Sequence, residues 1–311
     1  MKSFEIRTDL AVEANEQVNQ SDTALKGIIV KEDYDSDMDI LVTTLTITNK
    51  HGEQALKKPI GNYITIESKG LVEEDENYHK YVSEKVANYI TKLAEPHLPE
   101  KGGSILVVGL GNREVTPDSL GPDVVDHICI DRHYADKDEI LLSGLTPGVM
   151  AQTGMETADI IRGIVEETKP DVVIAIDALA ARNSARLNTT IQLSDKGIHP
   201  GSGVGNHRVG ITEENIGVPV IAIGVPTVID APTIVSDTMD NFVQALATSK
   251  ELKGIVKTLS EYNSREKYTL IKEIINPEMA DMYVTPKDVD ATIRRISFTL
   301  SEAINIVAGK N

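Results

Sequence analysis

Two aspartates follow apolar runs of the kind that forms buried strands, and carboxylates in such places can perform acid–base chemistry. Asp177 comes directly after the apolar residues 172–176, and Asp118 follows the glycine turn that ends GGSILVVGLGN. Ligands of open α/β sheets bind beyond the carboxyl ends of the strands, where both side chains are expected. A poorly solvated carboxylate has a raised pKa, so a close pair could share a proton. One aspartate would then activate water while the other protonates a leaving amine.

Each aspartate also has a structural interpretation. Asp177 could be the N-cap of a helix that begins at Ala178, because a side-chain oxygen there accepts a free backbone N–H. Asp118 could be a turn residue after Pro117. Spacing leaves both interpretations open.

Histidines in the same half of the chain leave a divalent metal site open. The glycine-rich stretch GIHPGSGVGNHRVGIT contains two of them, and either could join the aspartates as a ligand. The alternative is a loop of solvated histidines that lines a cleft. No H-E-x-x-H helix is present, so a metal is not assigned. The histidines of this region are His127, His133, His199 and His207.

Other chemistries have weaker signals. GLGNRE has Glu114 where the dinucleotide fingerprint needs its third glycine, and a phosphate-binding G-x-x-x-x-G-K-[ST] motif is absent. A nucleophile elbow G-x-S-x-G is also absent. Cys129 lies in the apolar stretch DHICIDRH, which predicts a strand with a small buried core residue. Nucleotide binding and nucleophilic catalysis are therefore disfavoured.

The composition bounds the partners and the compartment. The net charge of −17 disfavours binding to nucleic acid or to an anionic membrane. One cysteine excludes an intrachain disulfide and fits a reducing compartment. MKSFEIRTDL has no apolar signal-peptide core, and no run of about 18 apolar residues occurs. We therefore expect a cytoplasmic protein without a membrane span.

Strands and helices must position these side chains. A β-rich portion over about 17–70 precedes a helix over 75–94, which Pro96 and Pro99 close. Three later apolar runs alternate with helical patterns, which predicts an α/β fold with a mostly parallel sheet flanked by helices. The N-terminal strands are predicted at Ile28–Val30, Ile40–Ile47 and Asn62–Ile66, and the later helices at 153–168, 237–260, 264–275 and 286–308, with a loop between Pro277 and Pro286.

Four stretches together resemble the germination proteases of endospore-forming bacteria, over about residues 4–305: RTDLAVEA, VVGLGNREVTPDSLGP, VVIAIDALAARN and GIHPGSGVGNHR. The shorter stretch GLGN with a following acidic residue and glycine is similar to the hydrogenase maturation proteases, which share the family's phosphorylase/hydrolase-like α/β core. The resemblance implies an endopeptidase that initiates degradation of small acid-soluble spore proteins during germination. It also implies a homotetramer in the cytoplasm of the forespore, later the spore core.

The resemblance further implies a zymogen that removes its own N-terminal segment. Family substrates are cut after an acidic residue, usually Glu, before a hydrophobic residue followed by Ala. The stretch TDLA fits this rule and predicts cleavage between Asp9 and Leu10, with a propeptide 1–9 and a peptidase domain 10–311. Within that domain, the β-rich portion precedes an α/β core over 75–311. The essential aspartates of the family correspond to Asp118 and Asp177.

The stretch around the cleavage site also fits a helix start, with Thr8 or Asp9 as N-cap and Glu13 in the first turn. A fraying helix end would be accessible, so the two interpretations are compatible. Asp9 stands where the family's substrates usually have Glu, so we expect slower processing than substrate cleavage.

A basic side chain is expected to bind the acidic residue before the cut, because Arg matches a carboxylate bidentately. Four arginines lie on loops near strand ends: Arg113, Arg182, Arg186 and Arg208. The catalytic type, aspartic-like or metal-dependent, stays open. Two other functions also stay open: a metal-dependent maturation peptidase that clips one dedicated partner, and a non-enzymatic protein that binds spore proteins through its acidic surface.

Overall fold

The fold is built around a mixed sheet of nine strands. The computed structural model describes residues 9–19, 27–133, 139–201, 208–247, 266, 277–280 and 282–310. Within these residues the strands are β1 Ile28–Asp35, β2 Ile40–Ile47, β3 Gly61–Ser68, β4 Ser104–Gly109, β5 Leu141–Leu145, β6 Val172–Ala181, β7 Thr190–Ser194, β8 Val220–Asp230 and β9 Tyr283–Val284.

The helices of the described residues flank this sheet. They are α1 Ala11–Asn19, α2 Lys50–Leu56, α3 Glu76–Ala94, α4 Leu120–His127, α5 Met150–Thr153, α6 Thr157–Thr168, α7 Glu213–Ile216, α8 Ala231–Ala247, α9 Pro277–Ala280 and α10 Val289–Val307. None of the described helices is long and apolar enough to cross a membrane.

The strand order is β1-β2-β3-β7-β8-β6-β4-β5, with β9 pairing to β8. Strands β8, β6, β4 and β5 are parallel neighbours, as the alternating pattern predicts. The prediction of a mostly parallel sheet is nevertheless wrong, because β1, β2, β3 and β7 pair antiparallel and β7 joins β8 antiparallel. The connection between β1 and β2 spans only residues 36–39, which is too short for the crossover that a parallel pair needs.

Each face of the sheet has its own apolar layer. Helices α3, α4 and α10 cover one face, where they pack on alternate residues such as Ile174, Ile176, Ile191 and Leu193. On the opposite face, α6 packs against Val173 and Ala175 of β6, while α1 and α2 pack against β2 and β3. Because side chains alternate along a strand, Asp177 and Gln192 point to the face that carries α1 and α6.

The predicted helices are confirmed in most of their length. The helix predicted over 75–94 is α3, and that over 286–308 is α10. The helix predicted over 237–260 begins earlier, as α8, and its part beyond 247 lies outside the described residues. Apart from Glu266, which is helical, the helix predicted over 264–275 also lies outside them.

The helix predicted over 153–168 is α6, which begins at Thr157 because Gly154, with a φ of 71°, ends α5 before it. Two other local predictions are wrong. The loop predicted between Pro277 and Pro286 contains α9 and β9. Cys129 is not in a buried strand, since it follows the end of α4 and is exposed.

Candidate active site

Asp177 lies within β6 rather than at its end. The strand continues to Ala181, so the helix-cap interpretation is wrong. Its side chain is only 6% exposed, and one carboxylate oxygen accepts the backbone N–H of Ala178 at 3.0 Å. A carboxylate in this position is deprived of water, which is the condition that the sequence predicted.

Asp118 is held by the glycine turn that follows β4. It ends a short 3-10 turn, Thr116–Asp118, and its Oδ2 accepts the backbone N–H of Asn112 at 2.7 Å. Gly111 has a φ of 115°, and a Cβ there would lie 2.0 Å from the carbonyl oxygen of Asp118. Glycine is therefore required by this close approach, and the turn positions a carboxylate rather than a phosphate.

Two further hydrogen bonds fix the Asp118 turn against β6 and β8. The backbone N–H of Leu110 donates to the carbonyl of Ile176 at 2.8 Å, which extends the β4–β6 pairing to the residue before Asp177. The hydroxyl of Thr227 on β8 donates to the carbonyl of Pro117 at 2.6 Å. The two aspartates are thus brought together by neighbouring strands.

Burial and like charge set the protonation of the two aspartates. Burial raises the pKa of Asp177 well above its usual range, and the charges of Asp118 and Asp9 add to this effect. Burial also raises the pKa of Asp118, but the Asn112 N–H and the charge of Arg208 oppose the rise. Both shifts favour the protonated form, and the rise is larger for Asp177 than for Asp118.

The N-terminal segment lies against the same face of the sheet. Leu10 and Ala11 are fully buried, and Leu10 packs with Val12 against Leu179 of β6. The Oδ2 of Asp9 accepts the backbone N–H of Ala180 at 3.2 Å. The prediction of an accessible, fraying end is therefore wrong for residues 10 and 11.

A helix does begin at this point. The carbonyl of Leu10 accepts the N–H of Ala14, and α1 starts at Ala11. One carboxylate oxygen of Asp9 bonds to β6 rather than to the first turn of this helix. Thr8, the other predicted cap, lies outside the described residues.

The carbonyl oxygen of Asp9 accepts two hydrogen bonds from side chains that the sequence did not single out. The Nζ of Lys58 donates at 2.9 Å and the Nε2 of Gln192 at 3.1 Å. The Oε1 of Gln192 also accepts the backbone N–H of Ala11 at 2.6 Å. The Asp9 carbonyl oxygen is thus held by two donors, and Gln192 bonds to main-chain atoms on either side of Leu10.

The four predicted arginines have different surroundings. Arg208 acts electrostatically on both Asp118 and Asp177. Arg113 pairs with Asp126 on an exposed part of α4. Arg182 lies close enough to Asp237 to lower the pKa of that carboxyl, although burial raises it overall.

Arg186 is buried and fastens α1 to the sheet. It donates to both carboxylate oxygens of Glu16, at 2.8 and 2.6 Å, and to Glu67 at 2.7 Å. Its guanidinium is 3.7 Å from Glu13, which is buried and also accepts the backbone N–H groups of residues 182 and 183. Among the basic side chains, Lys58 donates to the carbonyl of Asp9, and the charge of Asp9 acts on its ammonium.

The described donor set does not fit a divalent metal ion. In the described part of the chain, no three His, Cys, Asp or Glu side chains are grouped to hold one. His127 bonds to the carbonyl of Asp123 on the surface, and His133 is exposed. His199 has a pKa lowered by burial and by Lys58, and His207 lies outside the described residues. The charge of Arg208 beside both aspartates also disfavours a cation there.

A buried and a partly buried carboxylate, beside a peptide carbonyl that accepts two side-chain hydrogen bonds, is an arrangement that suits a peptide-bond hydrolase. A family model described as germination protease matches residues 4–253. A germination protease of Caldanaerobacter subterraneus subsp. tengcongensis is 47% identical, over 97% of this chain and 93% of that protein. Those of Clostridium tetani and Bacillus pumilus are 41% and 40% identical, over 97% and 98% of this chain and 94% of each relative.

The chain therefore belongs to the germination protease family and is a peptidase. The resemblance found in the sequence is confirmed, and the non-enzymatic alternative is wrong. No described residue group supports the metal-dependent maturation peptidase.

Proposed function

We propose that the chain is a zymogen that cuts its own Asp9–Leu10 bond and then initiates degradation of small acid-soluble spore proteins. The observation that carries this proposal is the position of the N-terminal segment. Leu10 is buried against Leu179, and the charge of Asp9 acts on Asp177. The segment thus lies on its own catalytic face in the manner of a substrate.

The aspartate pair supplies the acid and the base. Ionised Asp118 takes a proton from water, and the hydroxide adds to the carbonyl carbon of Asp9. Protonated Asp177 then donates its proton to the nitrogen of Leu10, and the C–N bond breaks. The products are a carboxylic acid on Asp9 and an amine on Leu10, and the acid then passes its proton to the amine. Transfer of one proton from Asp118 to Asp177 restores the starting state.

The packing of the N-terminal segment supports the proposed cleavage rule. Leu10 fills an apolar site lined by Leu179 and Val12, which suits a hydrophobic residue after the cut. Ala11 is fully buried in a cluster with Tyr63 of β3 and residues of β2 and α2, so a larger side chain would clash. An alanine at the second position after the cut follows from this lack of space.

The same contacts account for an inactive zymogen. Residues 9–12 occupy the surface that an external peptide would need, and the ion pairs of Arg186 with Glu13 and Glu16 hold α1 in place. Release of residues 1–9 after cleavage removes the charge of Asp9 and its hydrogen bond to Ala180. A location in the spore core and a homotetrameric assembly are part of the same proposal and rest on the family resemblance.

The intact mass of the purified chain, before and after incubation at mildly acidic pH, tests the proposal. Wild type and Asp126→Asn, which changes an exposed aspartate, should both lose residues 1–9. Asp118→Asn and Asp177→Asn should keep their full mass. Cleavage at another bond, or equal cleavage in all four chains, would refute the proposed site or the proposed aspartates.

A further inference from the structure

The carbonyl oxygen of Asp9 is the atom that would gain negative charge during cleavage, and two side chains already donate to it. Lys58 does so at 2.9 Å and Gln192 at 3.1 Å. We propose that Lys58 and Gln192 are catalytic residues that together bind the oxyanion of the tetrahedral intermediate. This inference rests on the proposed cleavage between Asp9 and Leu10.

Lys58 is a positive charge fixed by its surroundings. It lies in the connection from α2 to β3, directly after Lys57, whose φ of 54° ends the helix. Its Nζ is 6.0 Å from the centre of the Tyr63 ring, and the Tyr63 hydroxyl donates to the carbonyl of Pro59 at 2.9 Å. These contacts fix the connection on both sides of the lysine.

Burial lowers the pKa of the Lys58 ammonium, and the charges of Asp9 and Glu13 oppose this fall. In a poorly solvated site an ammonium stabilises a nearby anion more than it would in water. The lysine is therefore suited to the developing oxyanion, which is a stronger acceptor than the carbonyl of the uncleaved peptide.

The side chain of Gln192 binds main-chain atoms of the N-terminal segment. Its amide accepts the N–H of Ala11 at 2.6 Å and donates to the carbonyl of Asp9, so it spans Leu10 as a neighbouring strand would. This contact does not depend on the peptide's side chains. It can therefore fix the position of the scissile carbonyl in any substrate that enters the site in an extended form.

The sheet positions Gln192 opposite the acid. Gln192 of β7 pairs with Gly224 of β8, and Gly224 pairs in turn with Asp177 of β6. Gln192 and Asp177 thus lie in one row across the sheet, and the charge of Asp9 acts on Asp177 while its carbonyl bonds to Gln192. When hydroxide adds to the carbon, the C=O double bond becomes a C–O⁻ bond that Lys58 and Gln192 stabilise. When the C–N bond breaks, the carbonyl re-forms and the charge leaves the oxygen.

Removal of one oxyanion donor typically lowers kcat about 10²–10³-fold. We therefore expect the first-order rate of loss of residues 1–9 to fall by that order in Lys58→Gln and by a similar or smaller factor in Gln192→Leu. Lys57→Gln is the matched control, because it removes the same charge from the neighbouring exposed lysine. It should process at the wild-type rate.

A second pair of variants separates catalysis from a mere attachment of the N-terminal segment. Gln192→Glu still accepts the Ala11 N–H but cannot donate to Asp9 and adds a negative charge, so it should be slower than Gln192→Leu. Lys58→Arg keeps a cationic donor and should recover part of the rate. If Lys58 and Gln192 only attach the N-terminal segment, Gln192→Glu should be processed faster than Gln192→Leu. Loss of Lys58 should then let an external peptide enter the site more quickly.

The outcomes distinguish this inference from the proposed function. If the wild type does not lose residues 1–9, the proposed function fails whatever the variants do. If the wild type is processed and Lys58→Gln and Gln192→Glu match its rate, the oxyanion role is overturned and the proposed function stands. Should Lys58→Gln fail to fold, as judged by its melting curve, the comparison of Gln192→Glu with Gln192→Leu decides the inference.

Discussion

Asp177 and Gln192 lie on the same face of the sheet, and each pairs with Gly224 on the strand between them. Gly224 has no side chain, and a Cβ there would lie 2.4 Å from Leu179. The glycine therefore leaves room for Leu179, which packs against Leu10. Asp177, Gly224 and Gln192 thus form one row across the sheet, and the N-terminal segment packs over this row.

The N-terminal segment also affects the pKa of Asp177. A peptide laid over this row displaces water from the carboxylate and brings the charge of Asp9 close, and both effects raise the pKa of Asp177. The occupied site thus favours the protonated form of Asp177, as the proposed mechanism requires.

Asp177→Asn should abolish processing and stabilise the fold at neutral pH. The folded pKa of Asp177 lies well above its unfolded value of about 3.8, so the native state holds the proton more tightly. Stability is then lost as pH rises from about 4 through the folded pKa. The amide has no such loss, so the melting temperature at pH 7 should rise by roughly 2–8 °C.

A pH series of thermal unfolding checks this prediction. The gain of Asp177→Asn over the wild type should shrink at pH 4, which is close to the unfolded pKa of about 3.8, so that the unfolded state also begins to bind the proton. The exposed Asp126→Asn variant should show no comparable gain at either pH. A gain of equal size at pH 4 and pH 7 would assign it to packing instead of ionisation.

Ala11→Leu should impair both packing and processing. Ala11 is fully buried among Leu45, Ile47 and Tyr63, and overpacking of this kind costs about 1–3 kcal/mol. We expect the altered segment to leave the site, so the loss of residues 1–9 slows while a peptide added in trans gains access. Ala14→Leu, on the same helix but only partly buried, is the control. Equal processing of the two variants would contradict the proposed fit of alanine.

The sequence predicted the parts of the site that depend on local pattern. The apolar runs of β4, β6 and β8 indicate strands covered on both faces, and the two aspartates stand out against them. The end of β6 was misjudged, because Asp177 interrupts the apolar run while the strand continues through pairing with β8. In the sequence, a charged residue within a buried strand can thus be mistaken for the end of that strand, although it indicates a functional site.

The remaining parts depend on contacts between distant residues. Lys58 and Gln192 bind Asp9 across 49 and 183 positions, and nothing in their local sequence marks them. The charged stretch around Glu13 resembles an exposed helix, yet Glu13 is buried because Arg186 and the N–H groups of residues 182 and 183 compensate its charge. The antiparallel half of the sheet likewise depends on the pairing of β3 with β7.

Arg186→Met should destabilise the chain far more than Arg113→Met. Arg186 is buried and serves three carboxylates, including the buried Glu13, and breaking such a group costs about 3–5 kcal/mol. Arg113 forms an exposed pair with Asp126 that contributes about 0–1 kcal/mol. Urea unfolding of both variants measures the difference, and similar midpoints would show that Arg186 is not the anchor of α1.

Asp9→Asn should lower the pKa of Asp177, because the charge of Asp9 is one of the causes that raise it. The measurement needs a chain that stays intact, so both states carry Asp118→Asn. The carboxyl ¹³C shift of Asp177, followed by NMR from pH 3 to pH 9, should titrate at lower pH in Asp118→Asn/Asp9→Asn than in Asp118→Asn alone. Asp118→Asn/Asp126→Asn should match Asp118→Asn. An unchanged titration after loss of the Asp9 charge would mean that the N-terminal segment does not set the protonation of the acid, and release of residues 1–9 would then leave the pH dependence of the mature enzyme unaltered.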